Sequence, residues 1–152
     1  MKTVPDNFPR LSSALVYQDA SRAIDWLCDA FGFELRLKVE GDDGQVIHSE
    51  LTLGDGVIMV AQENTAKPNH AWQAGMVSPK SIDGKSTQSL MLYVDDVEAH
   101  CAHARSRGAQ IAAEPKTSDY GEEYWTDRGY CAIDLEGHVW WITQRLRNGK
   151  KK

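Results

Sequence analysis

Residues 13–33 carry the sequence SALVYQDASRAIDWLCDAFGF, in which a short apolar strand leads into apolar residues at helical spacing. The same order returns 76 positions later in residues 89–109, SLMLYVDDVEAHCAHARSRGA. With this shift Gly32 aligns with Gly108, and both glycines stand where a helix ends in a left-handed residue. The two stretches therefore predict two copies of one structural unit.

The later part of each copy also repeats, with a shift of 81 that aligns Gly56 with Gly137. The spacing between matching elements thus changes by only five residues from one half to the other, which indicates two homologous modules rather than chance similarity. The predicted organisation is a single domain at residues 10–146 made of modules 10–62 and 86–146, a linker 63–85 that carries Trp72, an N-terminal tail 1–9 and a basic tail 147–152.

Each module has the pattern of a βαβββ unit. In the second module Asp95 and Glu98 have capping-box spacing, so its helix should begin at Asp95. The glycine-rich stretches 41–44 and 54–56 are typical hairpin turns between the later strands. A half of this size buries too little surface to be secure alone, so the two must pack together. The predicted fold class is α+β: two tandem βαβββ modules that form a curled eight-stranded mixed sheet with helices on the convex side.

Strand 46–53 indicates which face of the sheet could bind a ligand. Its alternation predicts that Ile47, Ser49, Leu51 and Leu53 face the helix-covered side, and that Val46, His48, Glu50 and Thr52 face a concave cleft. His48 and Glu50 are therefore candidate site residues, although a solvated sheet face would carry the same pattern.

Composition and charge narrow the class of partner. The net charge of −5 argues against nucleic acid, whose binding needs many basic contacts, and would suit a small cationic ligand. The N-terminus has no signal-peptide pattern and no segment approaches the ~20 apolar residues of a membrane span, so a cytoplasmic protein without membrane contact is expected. Three cysteines without a CxxC pair are expected to be buried free thiols.

Four stretches together resemble one known family. They are residues 19–34 (DASRAIDWLCDAFGFE), residues 48–59, residues 93–97 (YVDDV) and residues 134–141 (DLEGHVWW). In this order they are similar to the signatures of the vicinal-oxygen-chelate superfamily of glyoxalase, bleomycin-resistance and dioxygenase proteins, with Leu135 in place of the usual proline. The resemblance covers residues 10–146 and supports the predicted fold. It leaves the activity open, because the superfamily includes isomerases, dioxygenases, thiol transferases and drug-binding proteins.

The resemblance also identifies where a family metal would bind. Metalloenzymes of the superfamily take ligands from the first and last strands of each module, which here are Ser12, Ser89, Val60 (or Met59) and Trp141. None is a competent ligand for zinc, iron or manganese, so no cofactor is expected. A divalent metal at a displaced site is the alternative, and its ligands would come from His48, Glu50, His70, His138 and Glu122 or Glu123.

Residues 119–128 form a loop dense in aromatic and charged side chains. It could stack on a planar or cationic ligand, or it could simply close the sheet edge or a dimer. The resemblance places Trp141 on the cleft side of the last strand and Trp140 on the other side. The candidate ligand-binding residues are Ser12, His48, Glu50, Gln88, Tyr120, Tyr124, Trp125, Arg128 and Trp141.

Three functions remain open at this stage. The favoured one is a metal-free protein that binds an aromatic or cationic small molecule in the cleft. The second is a metal-dependent lyase or isomerase of the glyoxalase type. The third is a metal-free enzyme with His48 and Glu50 as an acid–base pair, the only candidate catalytic residues. A homodimer is expected because each module leaves an open sheet that needs covering.

Overall fold

The computed structural model describes residues 3–64 and 70–150, and it divides into two compact units at residues 1–85 and 86–152. Residues 1–2, 65–69 and 151–152, which belong to the predicted tails and linker, lie outside the described residues. Among the described residues, no helix combines the length and apolar character that a bilayer-spanning segment needs.

The first unit contains one βαβββ module followed by two short helical turns. Its strand order is β1-β4-β3-β2, in which β1 runs parallel to β4 and the other pairs are antiparallel. The elements are β1 (Ser13–Tyr17), α1 (Ala20–Phe31), β2 (Glu34–Glu40), β3 (Val46–Leu53), β4 (Gly56–Gln62), α2 (Ala71–Ala74) and a 3-10 helix (Pro79–Ile82).

The second unit repeats the same module. Its strand order is β5-β8-β7-β6, with β5 parallel to β8. The elements are β5 (Ser89–Tyr93), α3 (Val97–Ser106), β6 (Gln110–Asp119), β7 (Thr126–Ile133) and β8 (Val139–Arg147). The predicted α+β class with eight strands in two βαβββ modules is confirmed, and the strands pair as two four-stranded mixed sheets.

Helix α1 has well-defined ends and one apolar face. The Asp19 carboxylate accepts a hydrogen bond from the backbone N–H of Arg22, and the helix stops at Gly32, whose φ of 82° is left-handed. The face toward the sheet is fully apolar and buried, and it consists of Ala20, Ala23, Ile24, Leu27, Ala30 and Phe31.

Replacing Gly32 with alanine should lower the free energy of unfolding by about 1 kcal/mol. A Cβ at this position meets no atom within 4 Å, so the cost is the left-handed backbone alone. The matched control is Gly75→Ala, where φ is −88° and the Cβ would make only an ordinary contact. Urea denaturation of both variants measures the difference, and equal losses would contradict this account of the helix end.

Helix α3 begins one residue later than the sequence predicted. The side chain of Asp96, not Asp95, caps it by accepting from the N–H of Ala99, so the predicted capping box of Asp95 and Glu98 is wrong. Asp19 and Asp96 are therefore the equivalent caps. The two adjacent aspartates made the shift ambiguous by one residue, because either can accept the N-terminal hydrogen bonds.

In β4 and β8, the last strands of the two modules, the predicted equivalence of residues is also off by one. The Gln62 side chain accepts from the N–H of Ala20 at the start of α1, and Gln144 accepts from the N–H of Val97 at the start of α3. Each glutamine holds its helix on one face of its own sheet. Since Gln62 and Gln144 are equivalent, Met59 rather than Val60 is the counterpart of Trp141 in the first module.

The core of the first module lies between α1 and its sheet, and a bulge in β3 changes two predicted orientations. Leu51 and Ser49 are buried beneath the helix, as the alternation predicted. Val46, however, is only 2% exposed and Ile47 is 63% exposed, which reverses their predicted faces. The pairing of β3 with β2 contains an extra residue at Ile47, and this β-bulge turns Val46 back toward the core.

In the second module, the turn before β8 is organised by one buried carboxylate. Asp134 Oδ1 accepts hydrogen bonds at 3.0 Å from the backbone N–H groups of Glu136, Gly137 and His138. Its Oδ2 accepts from the indole N–H of Trp140, also at 3.0 Å. This turn therefore fixes the start of β8 and holds Trp140 under α3.

Candidate aromatic ligand site

Each sheet has one face covered by the helix of its own module and one face without such a helix, here called the open face. On β8 the structure places Trp140 and Trp141 on opposite faces, as the resemblance implied. Trp140 is 1% exposed on the helix-covered face, whereas Trp141 is 44% exposed on the open face. Trp141 pairs with Met91 of β5 and with Cys131 of β7, so these three side chains share the open face.

The open face of the second module presents large apolar groups to solvent. Met91 and Tyr93, two residues apart on β5, are 57% and 50% exposed beside Trp141. Cys131, the partner of Trp141 on β7, is buried. Burial raises the pKa of its thiol, so this residue stays neutral. Exposed apolar patches of this kind on a soluble domain commonly mark a binding surface.

One arginine lies between this face and the aromatic loop of residues 119–128. The Arg145 guanidinium lies 5.3 Å from the centre of the Tyr93 ring and 5.2 Å from that of Trp125. Its Nε donates to Asp127 Oδ1 at 2.5 Å, and its Nη2 donates to the Tyr93 hydroxyl at 2.7 Å. Arg145 is therefore charge-balanced and held between two aromatic rings.

The loop between β6 and β7 is an aromatic hairpin end. The Trp125 ring contacts those of Tyr120 and Tyr124, with centroid distances of 5.9 and 6.1 Å. All three rings are substantially exposed. Arg147 donates to Asp119 and to the Gly121 carbonyl, which ties the loop backbone to the end of β8. The loop thus closes the sheet edge and also presents rings that could stack on a ligand.

Arg128 lies apart from this group although the sequence placed it in the same loop. Its Nε donates to Glu98 of α3 at 2.5 Å, and its Nη1 donates to Thr117. Arg128 pairs with Gln144, which caps α3, so it points to the helix-covered face. The alternation along β7 separates Arg128 from the side of the sheet that carries Trp141, and we do not include it in the site.

In the first module, His48 and Glu50 do share the open face, but a third residue joins them. Arg36 donates from Nε and Nη2 to Glu50 Oε2, at 2.8 and 2.5 Å. His48 Nε2 lies 3.2 Å from Glu50 Oε1. The guanidinium also stacks 5.4 Å from the Phe8 ring centre and donates to the Asn7 carbonyl. Both Glu50 oxygens are thus engaged by neighbours on the protein.

Hydrogen bonds, first from Arg36 and then from His48, lower the pKa of Glu50 below its ordinary value. Glu50 therefore stays ionised near neutral pH and is a weak base. This arrangement disfavours an acid–base pair of His48 and Glu50, because proton uptake by Glu50 would have to weaken its bonds to Arg36.

The depressed pKa makes a pH-dependent contribution to stability. Because the folded-state pKa is below the unfolded value of about 4.3, the contribution of Glu50 is present above that value and is lost as the pH falls through the folded pKa. We expect the free energy of unfolding of the wild type to exceed that of Glu50→Gln by about 1 kcal/mol at pH 7. This difference should shrink toward zero near pH 3. Unfolding curves at both values measure it.

Glu40→Gln is the control for this pH experiment, because Glu40 forms an exposed pair with Lys38 on the same strand as Arg36. It should change stability little at either pH. A margin between wild type and Glu50→Gln that grows as the pH falls would contradict the assigned role of Arg36.

The positions at which the resemblance places a family metal do not fit one. The Ser12 hydroxyl donates to a backbone carbonyl of β4 at 2.6 Å, and Val60 is fully buried under α1. The open-face neighbour of Val60 is Met59. Together with Ser89 and Trp141, these side chains offer hydroxyls, a thioether and an indole, whereas divalent ions of this superfamily need imidazole or carboxylate.

The residues considered for a displaced metal are also engaged elsewhere. His70 stacks on Trp72 with 6.2 Å between ring centres, and Glu122 pairs with Lys150. His138 is buried at the turn before β8. Within residues 3–64 and 70–150, no three His, Cys, Asp or Glu side chains lie close enough to hold a metal ion.

Several residues of the site were not among the sequence candidates. Met91, Tyr93 and Arg145 surround the open face of the second module, and Arg36 changes the chemistry of Glu50. The alternation on β5 could have identified Met91 and Tyr93, because they lie on the same face of this strand as Ser89. Gln88, a predicted ligand contact, is exposed before β5, and its backbone carbonyl accepts from Ser86.

Comparison with known proteins agrees with this architecture. A family model described as the Glyoxalase/Bleomycin resistance protein/Dioxygenase superfamily matches residues 11–142. An uncharacterized protein of Mycobacterium bovis is 31% identical over 139 residues, which cover 91% of this chain and 85% of that protein. The similarity therefore extends over both modules.

One solved structure with the same fold is as similar in sequence as the mycobacterial protein. TioX from Micromonospora sp. ML1 superimposes with a TM-score of 0.64 and 31% identity, and the match covers 90% of this chain and 95% of TioX. TnmS3, an antibiotic binding protein from Streptomyces sp. CB03234, has a TM-score of 0.63 and 22% identity, with 88% and 93% covered. With the paired βαβββ modules, these matches confirm the resemblance, and the chain belongs to the Glyoxalase/Bleomycin resistance protein/Dioxygenase superfamily.

Proposed function

We propose that this protein binds a planar aromatic small molecule on the open face of its second module. Trp141 is the stacking wall, and Met91 and Tyr93 flank the bound ring. The observation that carries the proposal is the exposure of these three large side chains on the sheet face that α3 does not cover. TnmS3, an antibiotic binding protein with the same fold, supports the same proposal.

The charges on the open faces favour a neutral aromatic ligand over a cationic one. Glu50 is bonded to Arg36, and Asp127 is bonded to Arg145, so each carboxylate already has a cationic partner. The net charge of −5 still favours the approach of cations, but salt screens this long-range effect. We therefore propose that ring stacking, rather than pairing with a charge, supplies most of the affinity.

The two enzymatic alternatives have less support. Hydrogen bonds lower the pKa of Glu50 and engage both of its oxygens, which weakens the acid–base hypothesis. The side chains at the family's ligand positions weaken the metal-dependent one. That the protein works without a metal remains a prediction, and elemental analysis of the purified protein tests it directly.

The homodimer also remains a prediction. The edge strand β2 exposes Leu35, Leu37 and Val39 between charged residues, and a second copy of the chain would cover these apolar side chains. Sedimentation at micromolar concentration measures the state. A monomer would contradict the dimer but not the binding proposal, because the proposed site lies within one module.

Three naphthalene probes with the same ring system and different charges test the proposed function. They are neutral 2-naphthol, cationic 2-naphthylmethylamine and anionic naphthalene-2-sulfonate. Calorimetric titration of the wild type should give dissociation constants on the order of 0.1 mM for 2-naphthol, with a negative heat-capacity change from apolar burial. The charged probes should bind within about threefold of it.

The outcome for the three probes separates the hypotheses. Strong preference for the cationic probe would replace stacking with charge recognition and overturn the neutral-ligand proposal. No binding of any probe at millimolar concentration would contradict an aromatic site on this face.

A further inference from the structure

The aromatic side chains near Trp141 continue beyond the open face in one direction. Tyr93 stands two residues after Met91 on β5, at the end of β5 nearest Arg145. The Arg145 guanidinium contacts both the Tyr93 and Trp125 rings. A line of groups therefore runs from Trp141 through Tyr93 and Arg145 to Trp125, and it is here called the aromatic strip.

The loop that carries Trp125 is held in two separate ways. Arg147 binds its backbone through carbonyl groups, including that of Gly121, and through the Asp119 carboxylate. Arg145 instead contacts the Trp125 ring. Arg147 thus holds the loop backbone, whereas Arg145 is the arginine that contacts the indole, beside the rings of Tyr120 and Tyr124.

Two neighbouring side chains hold the Arg145 guanidinium in place. Asp127 accepts from its Nε at 2.5 Å, and the Tyr93 hydroxyl accepts from its Nη2 at 2.7 Å. Asp127 is mostly buried, with a side-chain exposure of 12%. A planar guanidinium anchored at two points offers a flat surface to a neighbouring ring, which a lysine ammonium cannot do.

We infer that Arg145 is a positioning residue that holds Trp125 at the end of the aromatic strip, and that this selects ligands longer than a single fused-ring pair. The inference rests on the proposed function, since it assumes that Trp141 stacks on the first ring system of the ligand. The ligand class is then an extended neutral aromatic whose far ring reaches Trp125.

Two neutral probes of different length test the inference on the full-length protein. The short probe is 2-naphthol, and the long probe is 6-(biphenyl-4-yl)-2-naphthol, which adds two rings in line to the same head group because β8 rises about 13 Å from Trp141 to Arg145. The wild type should bind the long probe roughly three- to tenfold more tightly, as expected for one additional stacked ring.

The Arg145→Met variant should reduce the advantage of the long probe over 2-naphthol to less than twofold. Arg145→Lys should have the same effect, because the ammonium keeps the charge but not the flat, two-point geometry. Trp125→Ala should also remove the advantage, and combining it with Arg145→Met should add nothing further. Arg105→Met, which breaks an exposed pair with Glu114 on another surface, should leave both affinities unchanged.

An NMR readout separates positioning from a general loss of structure. The indole N–H resonance of Trp125 should move in Arg145→Met and stay in place in Arg105→Met, while that of Trp140 stays in place in both. Movement of the Trp140 resonance would show that the module itself has changed, and Arg145→Lys then provides the milder comparison.

The results distinguish failure of the inference from failure of the proposed function. If the wild type binds neither probe, the proposed function is wrong. If it binds 2-naphthol but shows no long-probe advantage, or if that advantage survives in folded Arg145→Met, the inference about Arg145 is wrong. Loss of both probes in a folded Arg145→Met variant would also overturn it, since Arg145 would then contact the ligand directly.

Discussion

Replacing Asp134 with alanine is expected to lower the free energy of unfolding by about 3–5 kcal/mol. The substitution removes the carboxylate that accepts from three backbone N–H groups of the turn and from the indole N–H of Trp140. Each buried donor that loses its partner costs about 1–3 kcal/mol, with partial relief where water can enter. Urea denaturation monitored by circular dichroism measures the loss.

Asp134→Asn is the informative comparison. It keeps an oxygen for the three backbone donors but places an amide N–H₂ or forces a rotation where Trp140 needs an acceptor, so a loss of about 1–3 kcal/mol is expected. Asp55→Ala, in an exposed turn of the first module, should change stability by less than about 0.5 kcal/mol. Equal stabilities for Asp134→Ala and Asp55→Ala would contradict the proposed role of this turn.

Replacing Trp141 with alanine should weaken binding of 2-naphthol by at least about tenfold with little change in stability. Alanine removes both the stacking partner and most of the apolar area that a ring would cover. Trp141→Phe keeps an aromatic face and should weaken binding by only about threefold. Calorimetric titration of the three proteins gives the dissociation constants.

The neighbouring tryptophan provides the matched control for this experiment. Trp140→Ala deletes a fully buried indole and its bond to Asp134, so it should cost about 3–5 kcal/mol of stability. The two variants therefore separate a binding role from a core role on adjacent residues of one strand. A large stability loss in Trp141→Ala with unchanged affinity would reverse that assignment.

The fold could be predicted from the sequence because its signals are local and repeated. The stripe that follows Asp19 and the left-handed glycine at position 32 define α1 without any tertiary information. The orientations of Trp140 and Trp141 followed from strict alternation and the family position. Where two adjacent residues had the same chemistry, as at Asp95 and Asp96, the sequence could not choose between them. The choice between Val60 and Met59 was ambiguous by one residue in the same way.

The chemistry of the site could be predicted less well because it depends on irregular pairing. The bulge at Ile47 reversed the faces of two residues, and no local pattern in β3 announces it. A second irregularity in the pairing of β2 and β3 lies at Arg36, which forms the ion pair with Glu50. Likewise, Arg145 meets Tyr93 from 52 residues away, a contact that only the register of β5 on β8 creates.

The most direct test of the central claim is an NMR titration that follows the indole N–H resonances of Trp141 and Trp140 while 2-naphthol is added. Trp141 is assigned by loss of its resonance in Trp141→Phe. We expect a saturable shift of the Trp141 resonance with the dissociation constant found by calorimetry. The resonance of Trp140, whose indole N–H is bonded to Asp134, should stay in place. A Trp141 resonance that does not move when calorimetry shows the protein to be saturated would contradict the claim that the open face of the second module is the binding site.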